Sequence, residues 1–148
     1  MENKPQAFLF TARSDTLFIE NTLPYLIKLL EKVDGKTTLM LDTRDPSGVL
    51  GSSLLQSKLC EITTKIENLQ YNLSFEFQKT TFDSRLIRSK NKLQFNYPFK
   101  ETHCFRGYPI YGSFKQFIDT EAKYILHLDC DMIFYEAPVF SWVQEGLR

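Results

Sequence analysis

The sequence predicts an α/β domain, a mainly parallel sheet flanked by helices on both faces. Three observations carry this. Short apolar runs alternate with longer amphipathic stretches in the order β-α-β-α-β-(α)-β-α. Several of the short runs break abruptly into polar, Asp-containing loops. The stretches between them keep helical spacing and end on helix-stop signals.

The first strand is Ala7 to Thr11, an apolar run that ends in Arg13-Ser14-Asp15. Thr22 to Val33 follows as a helix, with Leu23, Leu26, Ile27, Leu30 and Val33 at helical spacing. Pro24 is expected in its first turn, where a missing N–H costs nothing. Asp34-Gly35 provides the stop. Thr37 to Leu41 is the second strand and opens into the loop Asp42 to Gly48. Leu50 through Leu69 reads as the second helix. Leu73, Phe75 and Phe77 alternate with Ser74, Glu76 and Gln78, a third strand at period two. Residues 79–106 carry no periodicity that assigns them. Ile110 to Ala122 reads as a helix, Tyr124 to Asp129 as the strongest strand, and Pro138 to Glu145 as a last helix before Gly146.

Composition sets the class. The chain has 148 residues, 43% apolar, 24% charged and 14% aromatic, which fits one globular domain over 1–148 and excludes a disordered chain. Lys+Arg and Asp+Glu balance at 18 each, so there is no global attraction to nucleic acid or to an anionic membrane. Three cysteines (Cys60, Cys104 and Cys130) form no disulfide framework and suit a reducing compartment. No stretch approaches the ~20 apolar residues of a transmembrane segment. The expected location is cytoplasmic.

Parallel sheets bind ligands beyond the carboxyl ends of their strands. Three polar groups fall there: Thr11 to Asp15, Asp42 to Asp45, and Asp129 to Asp131. The last is the most informative. Residues two apart on a strand point the same way, so Asp129 and Asp131 are expected to converge, with Cys130 facing the opposite side as a small buried hydrophobe. Two carboxylates held together repel unless a positive charge sits between them. Mg²⁺ or Mn²⁺ meets that need with oxygen ligands, retained waters and substrate phosphates. The competing reading is a strand-end turn with two solvated acids.

The segment Ile125-Leu126-His127-Leu128-Asp129-Cys130-Asp131 resembles the Asp-x-Asp motif of the GT-A glycosyltransferases, the nucleotide-diphospho-sugar transferase fold, and especially its family 2-like members. Phe8 to Arg13 resembles the first strand and donor-binding edge of that family, and Gly107 to Lys123 the segment leading into the motif strand. The resemblance implies a Rossmann-like GT-A half-domain that binds a UDP- or GDP-sugar. Asp129 and Asp131 would hold Mn²⁺ or Mg²⁺. Thr11, Arg13 and Asp42 would contact the nucleoside, and Arg106 and Asp129 the diphosphate side. It implies transfer of a sugar to an acceptor the sequence does not specify, and no catalytic base is assigned. Only 17 residues follow Asp131, where the family continues, so the expectation is a donor-binding half truncated at its C-terminus. Catalysis by this chain alone is left open. The alternative is a catalytically incomplete α/β module that binds or assembles with a partner chain completing the fold.

Other signals are weaker. Residues 79–106 hold seven bases (Lys79, Arg85, Arg88, Lys90, Lys92, Lys100 and Arg106) against Asp83 and Glu101. They read as a solvated basic loop or as the lining of a diphosphate mouth. Phe95, Tyr97, Phe99 and Phe105 interleave with them, but neutral total charge disfavours single-stranded nucleic acid. Gly107 to Ser113 has P-loop glycine spacing without the Lys that must follow Gly112. His127 shares a strand face with Asp129 and reads as a hydrogen-bonded core histidine. A haloacid dehalogenase-like phosphatase also uses two strand-end acids. It places them after the first strand, unlike the pair here.

Overall fold

A computed structural model of the chain describes residues 5–31, 36–44, 58–80, 120–134 and 145. Four parallel strands form one sheet: β1 (Gln6–Thr11), β2 (Lys36–Asp42), β3 (Glu76–Thr80) and β4 (Ile125–Asp129), in the spatial order β3-β2-β1-β4. All three pairings are parallel, as the strand–helix alternation predicts. A 3-10 turn (Arg13–Leu17) follows β1 and leads into helix α1 (Ile19–Leu30). Helix α2 is described over Lys58–Gln70.

β1 is buried from Ala7 to Thr11 because strands cover both its edges and side chains cover both its faces. Leu9 stands opposite Leu39 on one side and Leu128 on the other. With Ala7, Leu41 and Cys130 these residues make one apolar face. Against it pack Ile19, Leu23, Leu26, Ile27 and Leu30 of α1 and Ile62 and Ile66 of α2. Each such side chain, fully buried, contributes roughly 1.5–3 kcal/mol, well above the ~0–1 kcal/mol of the exposed ion pair Lys36–Glu76. Apolar packing therefore holds the layers together. The opposite face carries Phe8, Phe10 and Met40, with Ile125 half-buried beside them. α1 and α2 share one face; the helices expected on the other lie outside the described residues.

Several boundaries differ from the sequence reading, and α1 ends at Leu30, short of the expected Val33. α1 begins at Ile19, not Thr22, because Ile19 extends the apolar stripe one turn back and is fully buried. Phe18 ends the 3-10 turn and its carbonyl accepts from the amides of Asn21 and Thr22 at 2.9 and 3.1 Å. Pro24 thus falls in the second turn. The carbonyl left without its helical donor is that of Glu20, an exposed residue where water can substitute. β3 starts at Glu76, so Leu73 and Phe75 precede it and pack on the core from the approach. Thr120 to Ala122 is not helical. The Thr120 hydroxyl donates to Gln6 Oε1 at 2.7 Å and accepts from the Ala122 amide at 3.1 Å, which replaces a helical turn with a side-chain one. Of the last expected helix only Glu145 is described, and it is helical. No helix among the described residues is long and apolar enough to cross a membrane.

Lys79, counted with the basic stretch, belongs to β3. Its ammonium meets Glu67 of α2 at 3.3 Å.

Thr38 is fully buried on the second face, and its hydroxyl has no hydrogen-bond partner among the described residues. An unsatisfied buried hydroxyl costs on the order of 1 kcal/mol. Thr38→Val keeps the shape and removes the polar atom. It is expected to raise unfolding stability by about 1 kcal/mol, read as a higher urea midpoint at unchanged slope.

Candidate functional site

The carboxyl ends of the four strands lie along one edge of the sheet. From β1 the chain moves to β2 and β3 on one side, and β4 then pairs on the other side of β1. Among the described strands the reversal falls between β1 and β4, the place where open parallel sheets form their ligand crevice.

On the β4 side, the strand ends at Asp129 and the chain turns. The Met132 amide donates to the Asp129 carbonyl at 3.1 Å, which closes a four-residue turn over Asp129 to Met132. Asp129 and Asp131 are therefore presented by a turn, and not by strand alternation as the spacing predicts. Both are exposed. Cys130 between them faces the helix side and is fully buried, as expected. Its amide donates to the Phe10 carbonyl at 2.8 Å, so the β1–β4 ladder runs one residue beyond β4. His127 shares the face of Asp129, as expected, with Nε2 at 3.6 Å from Asp129 Oδ1. It is half-buried and its ring stacks on Phe10 at 4.5 Å between centroids.

On the β1 side, the loop after Thr11 is organised by Asp15. Its carboxylate accepts from the Thr11 hydroxyl at 2.9 Å, the Ala12 amide at 2.9 Å and the Ser14 hydroxyl at 2.8 Å. Burial nevertheless raises its pKa; the three hydrogen bonds oppose the rise and the nearby charge of Asp131 adds to it. The Cys130 thiol is pushed well up, first by burial and then by Asp15, Asp129 and Asp131, with Thr11 partly offsetting. Asp15, Asp129 and Asp131 thus all act electrostatically on one buried thiol where β1 and β4 end. Asp15 lies in the polar group after the first strand and is not among the residues that the family resemblance assigns to the site. Its signal is local: an Asp four residues past a strand end can fold its carboxylate back onto the loop's N–H and hydroxyl groups.

From α2, Lys65 anchors this loop. Its ammonium donates to the Thr16 carbonyl at 2.8 Å and pairs with Glu20 at 3.0 Å and Glu61 at 3.3 Å. Its pKa is raised, chiefly by the bond to Glu20.

The nucleoside-side candidates sit differently from the acids. Thr11, Arg13 and Asp42 are only 4%, 7% and 5% exposed, whereas the Asp129 side chain is 60% exposed. The Arg13 guanidinium donates through Nη2 to the Thr43 carbonyl. Asp42 is held by Arg44, with Nε at 3.0 Å, Nη2 at 2.7 Å and the Arg44 amide at 3.1 Å. Arg106 lies outside the described residues. Two acids rich in hard oxygen suit Mg²⁺ or Mn²⁺, which need only one or two carboxylates beside water and phosphate. Among the described residues no group of three or more His, Cys, Asp or Glu side chains is arranged to hold a metal.

The raised pKa of Asp15 has a definite sign. Between its ordinary value of 3.8 and the raised one, the folded chain keeps a proton that the unfolded chain has released. Stability from this residue is therefore full below that window and falls as pH rises through it. In metal-free protein, the stability of the native chain relative to Asp15→Asn is expected to fall with pH across the window. Urea titrations of both proteins at a series of pH values check this; a flat or rising difference contradicts it.

Compared with family models, with curated proteins and with solved structures, the chain gives no match.

Proposed function

We propose that the chain binds a nucleotide-diphospho-sugar through a divalent cation held by Asp129 and Asp131, as the donor-binding half of a GT-A-like glycosyltransferase. One observation carries this reading. Two exposed acids stand in a turn at the tip of β4, where an all-parallel sheet of order β3-β2-β1-β4 reverses direction. That order is the one in which doubly wound nucleotide-binding sheets open their crevice.

The chemistry follows from the residue types. Asp129 and Asp131 offer oxygen ligands in solvent, so a hard cation can bind and still face a diphosphate. Mn²⁺ or Mg²⁺ bound there would stabilise the negative charge that grows on a departing nucleoside diphosphate. Asp15 keeps the β1 loop folded back beside Asp131 and adds negative potential that favours a cation over an anion. The crevice wall on the β1–β2 side is backed by Thr11, Arg13 and Asp42, and fixed walls position a donor without reorganisation.

Calorimetry tests the reading. UDP with Mn²⁺ is expected to bind, UDP with EDTA is not, and Asp129→Ala and Asp131→Ala are each expected to abolish the cation-dependent signal. Both side chains are exposed, so these variants should keep native stability within about 0.5 kcal/mol. UDP binding that ignores the metal, or that survives in both variants, rules the cation site out. No binding under any condition leaves the incomplete, partner-assembled module as the reading.

A further inference from the structure

We infer that Arg13 is a positioning residue that fixes the β2 tip, Asp42 to Arg44, as a rigid nucleoside-side wall, and does not itself touch the ligand. The inference rests on the nucleotide-binding reading and refines it.

A guanidinium cannot shed its charge, so a buried one is tolerated only where its N–H groups are engaged. Arg13 is buried and reaches across 30 residues of sequence to the Thr43 carbonyl. That contact belongs to a series lacing three strand tips. The Thr43 hydroxyl donates to the Thr80 carbonyl at 3.0 Å, and the Thr80 hydroxyl donates to the Leu41 carbonyl at 3.1 Å. The shape of the segment after β2 is set locally by the Asp42–Arg44 fork. Its placement against β1 is set by the β1–β2 ladder, which pairs Thr11 with Leu41, and Arg13 adds a side-chain tie from the β1 loop beyond the ladder's end.

The β4 tip stands outside this lacing. Asp129 and Asp131 are exposed and belong to a turn closed by its own backbone. The Arg13–Thr43 bond runs to the β2 side, whereas Asp129 and Asp131 hang from β4 on the other side of β1. Loosening Arg13 should disturb what the nucleoside meets and leave what the diphosphate and cation meet.

This gives a readout that a general loss of structure would not produce. Wild type, Arg13→Met and Arg13→Lys are titrated by calorimetry with UDP and with inorganic pyrophosphate, each at saturating Mn²⁺. Arg13→Met is expected to bind UDP at least tenfold more weakly and pyrophosphate within twofold of wild type. Arg13→Lys, which retains one donor toward the Thr43 carbonyl, should recover part of the UDP affinity. If Arg13→Met does not fold, Arg13→Lys decides, with UDP weakened several-fold and pyrophosphate unchanged. UDP affinity unchanged in the variant that folds, or pyrophosphate affinity falling together with UDP, overturns the inference while the cation-site reading stands. Wild type that binds neither ligand overturns both.

Discussion

The pairing of β1 with β4 is the constraint on which the rest depends. β1 and β2 are the described strands bonded on both sides, and the register of β1 against β4 fixes what meets at the edge. Phe10 lies opposite Asp129, and the Phe10 carbonyl takes the Cys130 amide. That last bond holds the chain in line for one residue beyond the strand and then releases it into the turn that carries Asp131. Slipping the pairing by one residue would put Asp129 on the helix face and Cys130 on the other. The apolar cluster forbids this, because Leu128 and Cys130 are both buried in it. The position of two solvated acids is thus decided by the packing of two apolar neighbours.

The electrostatics of the crevice follow from this geometry. Asp15 accepts three hydrogen bonds, which ordinarily depress a carboxyl pKa, yet burial outweighs them and Asp131 adds to the effect. The Cys130 thiol, deeper still, is held protonated by the same burial and by three acids around it. Such a thiol is a poor nucleophile, so its place is in the core. Excess negative charge is concentrated where β1 and β4 end. The opposing positive charges, Arg13 in the β1 loop and Arg44 after β2, are each bound to a protein partner in the β2 tip.

Much of the fold was legible because the apolar pattern records burial directly. Ala7 to Thr11 and Tyr124 to Asp129 are short apolar runs, and both became strands with the faces their alternation assigns. The helical stripe from Leu23 to Leu30 was legible for the same reason; its first turn was not, because Phe18 and Ile19 sit beside polar Asp15 and Thr16, and a 3-10 turn leaves no periodic trace. Thr120 shows the opposite failure. A side-chain bond to Gln6, more than a hundred residues away, favours a local turn that no window of sequence contains. At the candidate site, residue types were legible and their surroundings were not. Spacing placed Asp129 and Asp131 together, but by strand alternation, whereas a turn presents them. Nothing in the pattern said that Asp42 would be closed off by Arg44, two residues on, or that Arg13 would turn inward.

Exposure divides these residues into two kinds. A group that binds a cation must keep lone pairs facing solvent, and Asp129 does so. A group that shapes a wall is more effective when its own bonds are complete, since a side chain already fixed loses no further entropy when ligand arrives. Thr11, Arg13 and Asp42 are buried, and they are bonded to Asp15, Thr43 and Arg44 respectively. One edge of the sheet therefore combines a yielding, hydrated acidic side with a laced, dehydrated one. That pairing suits a ligand with a charged end that must leave and a neutral end that must be held in place.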